Sequence, residues 1–205
     1  MGTFSQANIK SDFNSVLTEL KKNITIGREI WLDMKKDWFY NLQHDENSSL
    51  EKNYTIILSK DYSKEWIEIE FDFQDNLYLF DEILRRISGA LKTEILLGYY
   101  QSTSGDGRLA KFKNGQMELS FYEKHYYYKF DDSKAIDRIY VADNFGVFHS
   151  KIPALKNSIL NEDSKLIDIE FIYEFYKSEG WINDLDKNYT DRKYLHLEQL
   201  KFWMY

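Results

Sequence analysis

A chain of 205 residues that is 43% hydrophobic and 17% aromatic holds enough apolar material to bury a sizeable core, which excludes a disordered polymer. It contains no cysteine, so disulfides and thiolate chemistry are excluded as well, and a reducing cytoplasm is the expected compartment. Its 34 acidic residues against 27 basic ones leave a net charge of −7, the wrong sign for a general nucleic-acid binder, because gripping phosphate needs surplus Lys and Arg.

The opening segment MGTFSQANIKSDF lacks the apolar stretch of a signal peptide, and no apolar run approaches the ~18 residues that a membrane-spanning helix needs. Helical spacing appears first at Phe13, Val16, Leu17 and Leu20, with Ser11 and Asp12 ahead of them as caps. GREIWLDM and DWFYNLQ fit either period and are assigned to strands, whereas HDENSSLEKN (44–53) has the composition of a loop. The Thr and paired Ile of NYTIILS (53–59) predict another strand.

From Trp66 to Phe73 the pattern is strictly alternating. Period two places Ile67, Ile69, Phe71 and Phe73 on one face of a strand and Glu68, Glu70 and Asp72 on the other, where they are expected to meet water. A helix follows, its stripe formed by Leu77, Phe80, Leu84, Ile87 and Leu91 at spacings of three and four, with Asp75 as its N-cap. Strands are then predicted over 94–101, 108–113, 116–122, 126–130 and 135–143. Asn114-Gly115 marks a tight hairpin, because both positions of its turn require positive φ. Leu166, Ile169, Ile172, Tyr173 and Tyr176 predict a helix that starts after Ser164 and stops at Gly180. Tyr194, Leu197, Leu200 and Met204 predict a last helix after Thr190. The expected fold is therefore α+β: an antiparallel sheet built as strand, helix and meander, packed with N- and C-terminal helices. One domain is expected over 1–205, with its helical part over 154–205.

Sites of chemistry are scarce. YYQSTSGDGRLAKFKNG (99–115) has glycines, serines and basic residues, but a phosphate loop must end in a helix N-terminus, and here a strand pattern follows. Gly105 and Gly107 are assigned to a turn. The four histidines, His44, His125, His149 and His196, show no metal-ligand spacing. Asp184, Asp186 and Asn188 stand at the first ligand positions of a calcium loop, yet Tyr189 falls where Gly is needed and Leu195 where Glu is needed. EKHYYYKF (123–130) could stack bases, but Tyr126, Tyr128 and Phe130 share one face and are expected to fill the core. No cofactor, metal or catalytic residue is expected from these motifs.

The acidity is local, and that points to a partner. Residues 61–75 carry 6 acids and 1 base, and residues 161–186 carry 8 acids and 2 bases. Such patches steer basic proteins. Glu68, Glu70, Asp72, Glu174 and Asp184 are the expected charged contacts, with Trp66 and Trp181 as aromatic anchors. In size, charge and its strand–helix–hairpin run from Trp66 to Phe130, including EILLGYYQSTSGDGRLAKFKNG, the chain resembles the immunity proteins of bacterial contact-dependent and polymorphic toxin systems. The resemblance implies a cytoplasmic inhibitor that caps a toxin domain, often a basic nuclease. Two alternatives stand beside it: a small enzyme whose site gathers distant carboxylates and a His, such as His125 or His149, and a self-associating structural or regulatory module.

Overall fold

The computed structural model of the chain describes residues 3–31, 55–61, 65–72, 77–102, 106–127, 136–143, 167–181 and 189–200. In chain order they form β1 (Thr3–Lys10), α1 (Phe13–Asn23), β2 (Ile24–Trp31), β3 (Thr55–Asp61), β4 (Trp66–Asp72), α2 (Leu77–Leu91), β5 (Glu94–Gln101), β6 (Gly107–Lys113), β7 (Gln116–Tyr127), β8 (Ile136–Asp143), α3 (Ile169–Ser178) and β9 (Tyr189–Leu200). The fold is α+β, as expected. Two interleaved compact units make it up: one is Gln6–Ile95, Lys113–Gln116 and Asp184–Tyr205, the other Met1–Ser5, Leu96–Phe112 and Met117–Asn183. Asp75, Phe73, Ser164, Met204 and the DWFYNLQ segment lie outside the described residues.

In the first unit the strands run in the order β2-β9-β3-β4-β1, each neighbouring pair antiparallel. Alternation along β4 sends Ile67, Ile69 and Phe71 to one face, and Ala7 and Ile9 of β1, Ile56 and Leu58 of β3 and Leu195 of β9 join them; all are buried. Two helices cover this face. Phe71 meets Phe80 of α2 with ring centroids 4.3 Å apart, and α1 packs against both α2 and β3. Each such side chain contributes about 1.5–3 kcal/mol on full burial, which sets the register of the whole sheet.

Helices α1 and α2 form where their stripes predict, whereas α3, expected after Ser164, begins at Ile169. Asp12 holds an extended backbone and its Oδ1 accepts from the Ser15 N–H at 2.9 Å, capping α1, while Phe13, Val16, Leu17 and Leu20 are buried. Along α2, Phe80, Ile83, Leu84 and Ile87 are fully buried. Between β6 and β7, Asn114 and Gly115 have φ of +51° and +82°, so the two-residue turn has the mirror-image geometry its sequence requires. The turn docks beneath α2. Arg85 Nη1 donates to the Gly115 carbonyl at 3.1 Å, and the Gly115 N–H donates to Ser88 Oγ at 3.2 Å.

Segments at both ends of the chain depart from the sequence pattern, and the strands expected over 116–122 and 126–130 run as one, β7, to Tyr127. Residues 189–200 are strand β9, inserted between β2 and β3, and not a helix after Thr190. The spacing of Tyr194, Leu197 and Leu200 suits a helix, but pairing along both edges supplies backbone hydrogen bonds and tertiary packing that outweigh a weak helical stripe. Residues 3–10, for which no element was predicted, form β1. Gln6 and Asn8 alternate with Ala7 and Ile9 along it, and all four are buried.

In the second unit the strand order is β5-β6-β7-β8, with β7 and β8 antiparallel from Ser120 opposite Asp143 to Tyr127 opposite Ile136. Helix α3 lies on β5 and β6. Asp168 caps its start, its Oδ1 accepting from the Phe171 N–H at 2.8 Å. Gly180, at φ +87°, ends it: the Gly180 N–H donates to the Lys177 carbonyl and the Trp181 N–H to the Tyr176 carbonyl, both at 3.0 Å, the paired bonds of a left-handed helix stop. The helix approaches β5 so closely that a Cβ on Gly98 would stand 2.4 Å from Ile172 Cγ2, and just ahead of the helix Ile167 lies where a Cβ on Gly107 would stand 2.5 Å from its own Cβ. Gly107 is thus required by contact with Ile167 and opens β6; a turn conformation does not explain it.

Candidate functional site

The carboxylates expected to form a docking patch are not all at the surface. Glu68 is 0% exposed, so the wet face assigned to β4 is covered. Period two states that Glu68 and Ile67 point to opposite faces, but it carries no information on whether the second face is open. With β3 on one side of β4 and β1 on the other, the strand is internal to its sheet. Glu70 is half-buried, and the side chain of Asp72 lies outside the described residues.

The indoles are core residues as well. Trp66 is 5% exposed, with Lys10 Nζ 6.0 Å from its ring centroid. Trp181 is 1% exposed: it stacks on Tyr173 at 5.9 Å and meets Tyr176 edge-on at 5.3 Å. Its place just after Gly180 explains this, since the residue following such a helix stop packs back on the last turn. Expected as exposed anchors, both Trp66 and Trp181 are instead buried.

What the first unit assembles instead is a buried polar row. The register aligns Arg192 of β9, Ser59 of β3, Glu68 of β4 and Asn8 of β1. Arg192 Nε donates to Ser59 Oγ at 3.3 Å, and Gln6 Nε2 donates to Asn8 Oδ1 at 2.8 Å. Asn8 Nδ2 and Thr55 Oγ1 are buried, with no hydrogen-bond partner among the described residues. Buried polar groups in this state are destabilising by about 1–3 kcal/mol each, so their presence in a sheet otherwise lined with Ile and Leu is notable. Thr55 also stands opposite both His196 and Asp72 in the register. The sequence signal for the row was the period-two polarity of Gln6 and Asn8, which became informative only once β1 was known to pair with β4.

A second cluster lies at β2. Trp31 is 58% exposed, yet it is held in place by stacking on Phe13 at 5.7 Å and by Lys193 Nζ 4.5 Å from its ring centroid. Lys193 Nζ lies 2.6 Å from Glu29, which also meets Lys21 at 2.5 Å. Hydrogen bonds from Lys193 and then Lys21 hold the Glu29 carboxyl below the ordinary carboxylate range. The single Glu29 carboxylate thus holds two ammonium groups.

The face of α3 turned away from the strands is different. Ile172, Phe175 and Tyr176 are buried beneath it, whereas Asp168, Ile169, Glu170, Glu174 and Lys177 are exposed. Ile169 is 41% exposed, one of few large apolar side chains so placed among the described residues. Glu174 pairs with Lys177 at 2.7 Å, a surface bridge worth little. Glu174 is therefore the expected contact residue that stands in solvent. Asp184 lies outside the described residues.

No protein-family model, curated protein or solved structure matches this chain.

The geometry limits the chemistry that the described residues support. On either side of residues 103–105 the Gln101 N–H donates to the Asp106 carbonyl at 2.9 Å, and strand β6 begins at Gly107. A strand follows this segment, whereas a phosphate loop leads into a helix N-terminus. Residues 103–105 lie outside the described residues, as do His149 and the side chain of His125. Among the described residues no three His, Asp or Glu side chains converge as metal ligands, and no helix is long and apolar enough to cross a membrane.

Proposed function

We propose that the protein is a cytoplasmic inhibitor of the immunity type, which binds a basic protein partner through the outward face of α3. One observation carries the reading: a helix whose inner face is sealed by Ile172, Phe175 and Tyr176 presents Glu170 and Glu174 outward with Lys177 beside them, and exposes Asp168 and Ile169 at its first turn. Acids on the rim of a contact accelerate encounter with a positive surface, and an apolar side chain at its centre slows dissociation. A rigid scaffold is also needed, because an interface that must first order its own helix loses affinity. α3 has one: a capped start, a left-handed stop, and Lys111 of β6 bound to Glu179 at 2.6 Å with both side chains largely buried.

The test begins with the tagged protein recovered from its own host at low salt, where a basic protein in one-to-one ratio is expected. With that pair purified, Glu170→Lys combined with Glu174→Lys should lower the association rate by about tenfold and flatten its dependence on salt. Circular dichroism should show the fold intact. An association rate equal to that of the wild type would remove α3 from the interface.

A further inference from the structure

We draw no further inference here: the strongest candidate, the buried polar row in which Asn8 and Thr55 lie with Ser59 and Glu68 across β1, β4 and β3, is closed to solvent, and nothing in the structure shows what covers it.

Discussion

Replacing Gly98 by alanine puts a methyl group where α3 already sits. The new Cβ would lie 2.4 Å from Ile172 Cγ2 and 2.6 Å from Tyr176 Oη, against the ~3.5–4.0 Å at which such atoms rest, so the helix must withdraw by about 1 Å. It is poorly placed to do so, because its far end is fastened by the Gly180 stop and by Lys111 to Glu179. Overpacking of this kind costs about 1–3 kcal/mol. Alanine also narrows the unfolded ensemble, which returns ~0.4–1 kcal/mol. The expected net loss is about 1–2 kcal/mol, read as a lower urea midpoint at unchanged slope. Ile172→Ala alone should cost about 2–5 kcal/mol by opening a cavity. Combined with Gly98→Ala it should cost less than the two losses added, because the new methyl then occupies the space that Ile172 Cγ2 has left. A Gly98→Ala protein as stable as the wild type, or a pair of strictly additive losses, would show that α3 does not lie on β5 as described.

Four further outcomes follow from individual contacts. Glu68→Lys places an ammonium in a position with no exposure and should cost several kcal/mol, a large part of a typical ~5–15 kcal/mol total, whereas Glu68→Gln should fold; a well-folded Lys variant in thermal melts would mean that this face of β4 is open. Asp12→Ala should cost about 1 kcal/mol and speed amide exchange in the first turn of α1, and unchanged exchange would exclude the cap. Glu29 has a depressed carboxyl, so its stabilisation is complete above its ordinary value of 4.5 and drains away as pH falls through the lower folded value; its NMR titration midpoint should sit below 4.5 and rise in Lys193→Met, and a midpoint that stays put would refute the pairing. Gly115→Ala forces a side chain into φ +82° and should cost about 1–2 kcal/mol, measured by denaturant unfolding, where no loss would contradict the turn geometry.

How much of this was legible depended on whether the deciding physics was local. A helix such as α1 announces itself because its stripe, Phe13 to Leu20, and its cap, Asp12, lie within one window of the chain. The Asn114-Gly115 turn is legible for the same reason: positive φ is a property of two adjacent residues. Burial of the second face of β4 is not local. It depends on β1 and β3 flanking the strand and on what covers the sheet, and the same alternation of Glu with Ile describes an edge strand with one wet face equally well. The identity of β9 was lost in the same way, since only its two neighbours distinguish a strand with Tyr194 and Leu197 from a helix with the same residues. Trp181 is the instructive exception. A Gly after a helical stripe, followed at once by a large apolar residue, is a local signal that the residue folds back on the last turn. Weighed that way, Trp181 belongs to the core from sequence alone, and the acidic block around it loses its anchor. What the block keeps is the outer surface of α3, where Glu170 and Glu174 are exposed while Ile172, Phe175 and Tyr176 turn inward. A docking face is therefore better sought on a capped helix with one buried side than on a strand whose second side depends on the rest of the fold.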